Sequence, residues 1–363
     1  MTHLRSVLKQ RDFCFPGLGE DFARNRITMP QPQYLGAKHK LLPWIMQFAD
    51  IDGGSVLDGF GGSQSVAFAM KKAGCTVYTC DFLNCCHQTG TALVENGGEI
   101  LTTTDVEILF ADNAERDSVM MNFKNIFFTE KECVFLDSFR KNVDKLSNPY
   151  KRALALAVMC RAMTRKTIMG HFAHMQAMIY AADPIRVRRN PSIARSARQV
   201  FMELLPQYNA AVFDNERFCK SVCANILEGL PNFSGQVDLA YYDPPYCGSH
   251  SDYQAFYHLL ETFTENWKDK KFVNGNRRYY PPRYSGFDRT SEAEKSFRRL
   301  FELSDEIPRW LISYNDRSVP SPEILVKMAT RHKKVRVEEK IYERSRGGKG
   351  SVKGSKEYLL VCE

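Results

Sequence analysis

Four consecutive residues, Asp243, Pro244, Pro245 and Tyr246, combine groups that can hold an aromatic amine. The Asp243 carboxylate can accept a hydrogen bond from an amino group. Proline has a fixed φ and no backbone N–H, so the carbonyl groups beside the acid stay rigid and free to accept. The ring of Tyr246 offers a flat face for stacking. This combination indicates a site that orients the exocyclic amine of a nucleobase towards an electrophile.

The elements that position this segment are predicted strands. The apolar run at residues 237–242 precedes the acid and predicts a buried strand. Residues 56–63 predict a strand that ends in a glycine-rich turn, and residues 66–74 predict a helix. A further strand at residues 76–80 is followed by Asp81. Together the last three elements predict a βαβ unit with a ligand crevice at the carboxyl ends of its strands.

The glycine-rich turn predicts a nucleoside ligand that carries no pyrophosphate. Glycines there let a ligand approach the backbone closely, and Asp81 lies 22 residues after Gly59, where such folds place an acid on ribose hydroxyls. Gln64 stands where the third glycine of a dinucleotide-binding pattern would be. This disfavours a nicotinamide-dependent dehydrogenase and favours a ligand such as S-adenosyl-L-methionine.

A further segment, Y-L-G-A-K at residues 34–38, precedes the first strand. It is followed by L-D-G-F-G-G-S at residues 57–63, C-D-F at residues 80–82 and Y-D-P-P-Y at residues 242–246. In these motifs and their order the chain resembles the Dam-like family of adenine-specific DNA methyltransferases. The likeness covers residues 33–81 and residue 221 to the C-terminus. It implies an α/β fold with a Rossmann-like, S-adenosylmethionine-dependent methyltransferase sheet and an inserted, mainly helical target-recognition domain.

The resemblance also implies a role for individual residues. Lys38 would bind an anionic carboxylate of the cofactor, Asp81 its ribose hydroxyls, and Phe82 its adenine ring. Asn225 stands where the family usually has an acid, and its side-chain oxygen would accept from the adenine amine. Gly59 stands where many members of the family have proline, and this difference should only loosen the turn. The implied cofactor-binding residues are Tyr34, Gly36, Lys38, Asp58, Phe60, Gly61, Gly62, Ser63, Asp81, Phe82, Asn225 and Asp243, and the implied catalytic residues are Asp243, Pro244, Pro245 and Tyr246.

The implied reaction is methyl transfer to the exocyclic N6 amine of adenine. The Asp243 carboxylate and the Pro244 carbonyl would each accept one N–H and hold both hydrogens out of the ring plane, which frees the nitrogen lone pair for attack. The two oxygens also stabilise the positive charge that develops during the attack. The base cannot be reached inside a duplex, so it must be flipped out and stacked, and Tyr246 is the expected stacking partner.

An insertion separates the cofactor motifs from the catalytic motif. Residues 30–105 and 215–363 are predicted to form a split catalytic domain, and residues 1–29 an N-terminal extension. Residues 106–214 are predicted to be a mainly helical insertion for target recognition, with buried helices at residues 153–163 and 194–205. Near the C-terminus, alternation at residues 335–342 and a later apolar strand at residues 358–361 predict a hairpin.

Two basic segments are predicted to contact DNA. Residues 184–202 contain five arginines and no acid, which suits phosphate contacts, with a solvated helix face as the alternative. Residues 268–289 mix basic with aromatic residues and are broken by glycine and proline, which predicts a long loop that binds an unstacked strand. The candidates are Arg186, Arg188, Arg189, Arg195, Arg198, Arg277, Arg278, Tyr279, Tyr280 and Arg283. The basic stretch at residues 344–349 is either a further DNA contact or a flexible turn.

Composition limits the partners. The net charge of +8 suits a polyanion such as double-stranded DNA. The 11 cysteines show no paired C-x-x-C spacing, so no metal site is predicted. The first residues lack the apolar core of a signal peptide and no apolar run could span a bilayer, so a cytoplasmic location is expected. A cognate restriction endonuclease that acts separately is a further expected partner, while the oligomeric state stays open.

Other functions stay open at the level of sequence. D-P-P-Y also occurs in enzymes that methylate adenine in RNA, although the Y-x-G-x-K segment and the long insertion favour DNA. Enzymes that modify the cytosine amine usually have serine in place of the motif's acid, and protein-glutamine methyltransferases have asparagine. A catalytically inactive DNA-binding relative is a further alternative, against which the intact acids Asp81 and Asp243 argue.

Overall fold

The computed structural model describes residues 27–51, 53–113, 118–167, 170–233, 235–247, 252–267, 270–273, 275, 278–345 and 351–363. The predicted DNA contact Arg277 lies outside these residues, as does most of the predicted N-terminal extension and of the basic stretch at residues 344–349.

A seven-stranded sheet forms the centre of the fold, in the order β3-β2-β1-β4-β7-β9-β8. The first five strands of this order are parallel, and β9 runs antiparallel to both of its neighbours. Such a sheet, with its carboxyl ends aligned at one edge, confirms the predicted Rossmann-like α/β fold. Its strands are β1 (Ser55–Asp58), β2 (Thr76–Asp81), β3 (Cys219–Cys223), β4 (Leu239–Tyr242), β7 (Arg309–Asn315), β8 (Val335–Ser345) and β9 (Ser351–Cys362), while β5 (Lys271–Val273) and β6 (Arg278–Tyr280) form a separate pair.

Helices cover the sheet and fill the insertion. They are α1 (Leu42–Ala49), α2 (Ser65–Lys72), α3 (Asn84–Gly90), α4 (Thr103–Phe110), α5 (Ser118–Phe123), α6 (Glu130–Val143), α7 (Pro149–Arg165), α8 (Ala177–Ala181), α9 (Pro184–Arg189), α10 (Ala197–Ala211), α11 (Ile226–Gly229), α12 (Tyr253–Thr264), α13 (Thr290–Ser304) and α14 (Pro322–Ala329). Within the described part of the chain, no helix combines the length and the apolar character needed to cross a bilayer.

Local sequence signals explain where the insertion's helices begin. Thr102, Thr129 and Ser196 each accept a hydrogen bond from the backbone three residues later, and the residue there bonds back, which forms a capping box. Helix α7 begins at a proline behind the cap residue Asn148, whose side chain accepts two backbone N–H groups. Helix α10 continues past the predicted end at residue 205 and contains Pro206.

The insertion packs directly on the catalytic half of the chain. Eleven of the 17 residues of α7 are buried, so this helix has hardly any face towards solvent. Its side chains join those of α3, α10 and α12 in one hydrophobic cluster, which includes Leu83, Leu154, Phe201 and Phe256. One continuous core therefore spans both sides of the predicted boundaries at residues 105 and 215.

The segment predicted as a long loop at residues 268–289 contains a short antiparallel pair instead. Phe272 of β5 is paired with Tyr279 of β6, and the Tyr279 side chain is buried at 1% exposure. Alternate residues of a strand face opposite sides, so one tyrosine can anchor the pair while Tyr280 stays 64% exposed. The glycine and proline residues of the segment misled the prediction because they lie between and after the two strands.

Candidate active site

A cleft opens at the carboxyl ends of β3, β2, β1 and β4, with about 780 Å³ of space including its open mouth. All of the positions implied as cofactor-binding or catalytic line it. Neighbouring strands lie about 4.8 Å apart, so the row from the end of β3 to the end of β4 spans about 14 Å. Asp81 and Asp58 are the last residues of β2 and β1, while Asn225 and Asp243 follow β3 and β4, so the four side chains face different parts of an extended ligand.

Asp81 is held by backbone N–H groups from two directions. Gly62 donates to its Oδ2 at 2.7 Å and Leu83 donates to its Oδ1 at 2.8 Å. Burial raises the pKa of this carboxyl to about 6 despite both bonds. The side chain stays 7% exposed, towards the cleft. A carboxylate fixed in this way can accept from hydroxyl groups of a ligand without having to reorient.

Asp58 is more deeply enclosed, at 1% exposure. Its Oδ2 accepts from the Ala67 N–H at 3.1 Å, which ties the end of β1 to the first turn of α2. Burial, and then the negative charge of Asp243, raise the pKa of this carboxyl to about 7. Asp58 and Asp243 both line the cleft and are close enough to repel each other, which favours a ligand that carries positive charge nearby.

We expect Asp58→Asn to change how stability depends on pH. The folded pKa of about 7 lies above the unfolded value, so the native state binds more protons in the window between about pH 4 and 7. The stability that Asp58 contributes is therefore present at low pH and lost as pH rises. Asparagine cannot ionise, so the free energy of unfolding of the variant, relative to that of the original protein, should rise by about 2 kcal/mol from pH 5 to pH 8.

Urea unfolding at both pH values measures this difference. Asp238→Asn is the matched control, because hydrogen bonds from Ser55 lower the pKa of Asp238 and the opposite trend is expected. A parallel pH dependence of Asp58→Asn and the original protein would contradict the expectation.

The Asp243 carboxylate is paired with Lys38. The Lys38 ammonium lies 2.7 Å from Oδ1 and 2.6 Å from Oδ2, and it also donates to the Gly36 carbonyl at 3.0 Å. The Tyr246 hydroxyl donates to Asp243 Oδ1 at 2.9 Å, and its ring lies 5.0 Å from the ammonium. The resemblance implied that Lys38 binds the cofactor's carboxylate, whereas here its ammonium contacts the implied catalytic acid. An amine that binds Asp243 must share or replace these two donors.

Aromatic side chains hold the Y-L-G-A-K turn in place. Tyr34 stacks on Tyr257 with ring centres 4.6 Å apart. The Tyr257 hydroxyl accepts from the Leu35 N–H at 2.7 Å, and the Tyr253 hydroxyl donates to the Leu35 carbonyl at 3.3 Å. Gly36 adopts a φ of +82°, which other residues rarely adopt. The sequence predicts no role for the two tyrosines of α12, and only their spacing of four on a helix indicates a shared face.

The glycine-rich turn serves packing as well as access. A Cβ on Gly61 would lie 2.5 Å from Thr79 Oγ1 and closer still to the Gln64 side chain. Gln64 is fully buried and accepts from the Thr79 hydroxyl at 2.8 Å. Close ligand approach is therefore not what requires glycine at position 61, because the space belongs to Gln64. Similarly, a Cβ on Gly59 would lie 2.8 Å from the Tyr242 ring, so proline there would need a different packing.

The remaining implied positions surround the same space. Asn225 begins helix α11, where its Oδ1 accepts from the Leu227 N–H at 3.1 Å. Phe60 packs against Phe287 with ring centres 5.1 Å apart, and the Ser63 hydroxyl lies 2.8 Å from that of Ser65. Ser285 and Tyr253 also line the cleft, although the sequence reasoning placed neither in the site.

The arginines of residues 184–202 fall into two groups in the structure, those that contact other side chains and those that are exposed. Arg186 pairs with Asp183 and lies over the Tyr180 ring, Arg195 pairs with Glu203, and Arg198 lies over the Phe110 ring. Arg188 and Arg189 are exposed on the short helix α9, and within the described chain neither has an acidic partner. Two of the five candidates are therefore exposed and, among the residues that the structure describes, have no acid paired with their guanidinium group.

The second basic segment is also partly occupied by internal contacts. Arg278 pairs with Asp252, at the start of α12, and the ring of Tyr279 is buried. Arg283 pairs with Glu261 and Glu265. Of the described candidates in this segment, Tyr280 is the most open to a partner. Among the described residues, no group of three or more His, Cys, Asp and Glu side chains could hold a metal ion.

Comparison with known proteins gives two matches. A family model described as "D12 class N6 adenine-specific DNA methyltransferase" matches residues 34–302. The chain is also 32% identical over 347 residues to a protein of Haemophilus parahaemolyticus named "Type II methyltransferase M2.HphI", a match that covers 93% of this chain and 99% of that protein.

Proposed function

Since the chain belongs to the D12 class of N6 adenine-specific DNA methyltransferases and methylates adenine in DNA, we propose that it is a site-specific enzyme that uses S-adenosyl-L-methionine as methyl donor. The observation that carries this proposal is the common cleft. Asp243 at the end of β4 faces the same space as Asp81 and Asn225 at the ends of β2 and β3. A methyl donor and an extruded base can therefore meet there.

The residues of the cleft fit this cofactor. Asp81, held by two backbone N–H groups, suits the ribose hydroxyls. Phe82 after β2 and Asn225 after β3 lie on the side of the cleft where the adenine ring would bind, and the buried acid Asp58 suits the cationic part. When bound, the cofactor supplies an electrophilic methyl group on a sulfonium centre.

The catalytic segment acts by orienting the adenine amine. The Asp243 carboxylate accepts one N–H of that amine and the Pro244 carbonyl accepts the other, so the nitrogen lone pair points away from the ring. Tyr246 gives up its hydrogen bond to Asp243 and stacks on the base. No strong base is required first, because the positive charge on nitrogen develops during attack and is stabilised by these oxygens. The proton then leaves through the carboxylate or to water.

A methyl-transfer assay with labelled S-adenosyl-L-methionine tests the proposal. We expect label in N6-methyladenine of duplex DNA, at one short sequence motif that sequencing of the modified DNA identifies. Ribosomal RNA is the comparison substrate and should stay unlabelled. Transfer to RNA alone, or no transfer to either nucleic acid, would contradict the proposal.

We further propose that residues 106–214 recognise the target sequence, with residues 30–105 and 215–363 as the catalytic part. Helices α8 and α9 support this, because they carry exposed Ile179, Ile185, Arg188 and Arg189. They follow a segment that contacts helix α12, whose first residue, Tyr253, lines the cleft: the Phe172 N–H donates to the Phe256 carbonyl at 2.8 Å. Apolar and basic side chains together suit a DNA groove.

We expect the double substitution Arg188→Ala/Arg189→Ala to weaken binding of duplex DNA and to reduce its dependence on salt. Each lost phosphate contact lowers the slope of log K against log salt concentration by about 1, so a decrease of about 2 is expected. Fluorescence anisotropy from 50 to 300 mM salt measures the slope. Arg195→Ala/Arg198→Ala is the matched control, since both side chains have internal partners and the slope should change less. Equal slopes for both doubles would contradict the assignment.

We also propose a cognate restriction endonuclease encoded separately, in line with the "Type II" designation of the Haemophilus relative. Its presence would be revealed by a nuclease activity that cuts unmodified DNA and spares DNA treated with this enzyme. Cleavage of both DNAs alike by extracts of the source cells would argue against such a pair.

A further inference from the structure

A short segment after β6 crosses the carboxyl ends of three strands of the sheet. The Arg283 guanidinium donates to the Phe82 carbonyl beyond β2 at 2.8 Å. The Asn225 amide beyond β3 donates to the carbonyls of Tyr284 at 3.3 Å and Ser285 at 3.4 Å. Phe287, fully buried, packs its ring edge-on against Phe60 beyond β1. We call residues 283–287 the strap.

Both ends of the strap are fixed to other elements. Arg283 donates to Glu261 of α12 at 3.2 Å and to Glu265, the residue directly after α12, at 2.7 Å. Glu261 is fully buried and also accepts from the Cys85 N–H at 3.1 Å, which ties this cluster to α3. At the other end Phe287 packs on Phe297 of α13 with ring centres 5.1 Å apart. The strap is therefore built into the fold at several points.

We propose that the strap forms one wall of the cofactor site, on its adenine side, and that Asn225 and Arg283 are the positioning residues that hold it there. Ser285 of the strap lines the cleft together with Phe82, Ala224 and Asn225. Phe82 follows β2, and Ala224 and Asn225 follow β3, so this wall lies about 10 to 14 Å from Asp243 at the β4 end of the row. The inference rests on the proposed use of S-adenosyl-L-methionine, and it moves Arg283 from the DNA interface to the cofactor site.

The chemistry of residue 225 supports this assignment. Its Oδ1 accepts from the Leu227 N–H at 3.1 Å, which directs Nδ2 towards the two strap carbonyls. The amide thus donates to acceptors on one side and accepts from a donor on the other. An aspartate at this position would keep the helix cap but would place a carboxylate oxygen against both carbonyls. Asparagine is thus matched to the strap, and not only to the adenine amine that the resemblance implied.

The test is a set of calorimetric titrations of the full chain with S-adenosyl-L-methionine, S-adenosyl-L-homocysteine and adenosine. Asn225→Asp and Arg283→Met should each raise the dissociation constant of all three ligands about tenfold, which corresponds to about 1.4 kcal/mol. Adenosine is included because it lacks the amino-acid part, so an equal loss places the defect on the nucleoside side. Arg298→Met, on the exposed face of α13, is the matched control and should bind like the original protein.

The outcomes separate this inference from the function on which it rests. If the original protein binds none of the three ligands, the proposed cofactor is wrong. If it binds them and Asn225→Asp binds them equally well or better, an acid serves the adenine amine directly and the strap assignment is overturned. Since Asp is a good cap residue, Asn225→Asp should unfold within a few degrees of the original protein, so loss of fold does not explain its weaker binding.

Discussion

Asp243→Ala should lower the rate of methyl transfer to duplex DNA about 1,000-fold, while S-adenosyl-L-methionine still binds. Removing an acceptor that is aimed at charge developing in the transition state costs rate rather than ground-state affinity. Asp243 directly follows β4 and lines the cleft, which is the position that the proposed role requires. The Pro244 carbonyl remains in the variant, so a small residual rate is expected. Single-turnover transfer of labelled methyl groups gives the rate, and calorimetry gives the affinity for the cofactor.

The control for this variant lies at the opposite end of the same strand. Asp238 directly precedes β4 and accepts hydrogen bonds from Ser55 outside the cleft. Asp238→Ala should therefore retain most of the transfer rate. A near-normal rate for Asp243→Ala, or an equal loss of rate in both variants, would contradict a role for the Asp243 carboxylate in methyl transfer.

Lys38→Met should lower the free energy of unfolding by about 3 kcal/mol, because it leaves a nearly buried carboxylate without its cation. The side chains of Lys38 and Asp243 are only 7% and 18% exposed, so water compensates poorly for the lost ammonium. The double substitution Lys38→Met/Asp243→Asn removes both charges, and much of the lost stability should return. Urea unfolding of the four proteins gives the coupling free energy between the two residues.

A pair in which both side chains are exposed shows what a surface contact contributes. Lys356 bonds to Glu339 at 2.7 Å, and the two side chains are 45% and 43% exposed. Lys356→Met should change the free energy of unfolding much less than Lys38→Met does. If Lys38→Met lowers the free energy of unfolding as little as the surface substitution does, or if its effect simply adds to that of Asp243→Asn, then Lys38 and Asp243 are not the coupled pair that their distances indicate.

The positions of the acids could be predicted from the sequence because of a general property of parallel sheets. Asp58, Asp81 and Asp243 each end or directly follow an apolar strand. Parallel strands align their carboxyl ends, so residues far apart in sequence gather at one edge. The family match at residues 34–302 agrees with this interpretation and identifies DNA, rather than RNA, as the substrate.

The partners of the charged side chains could not be predicted in the same way. Lys38 and Asp243 are 205 residues apart, and no local pattern indicates that they pair. In residues 184–202 the absence of acids was misleading, since Asp183 and Glu203 flank the segment and bind Arg186 and Arg195. The strap was equally hidden, because its contacts depend on how the segment after β6 returns across the sheet.

If residues 106–214 recognise the target sequence, as proposed, the single core that they share with the rest of the chain limits how this enzyme can change its specificity. Leu83 and Phe256 belong to the same cluster as Leu154 and Phe201 of the insertion, so a chimera that exchanged residues 106–214 with a relative would have to match dozens of side-chain shapes at once. Specificity can change more readily through substitutions on the surface of α8 and α9, because their exposed side chains can be replaced without disturbing that core. New recognition sequences in this lineage should therefore arise by point substitution on a retained scaffold, not by shuffling of modules.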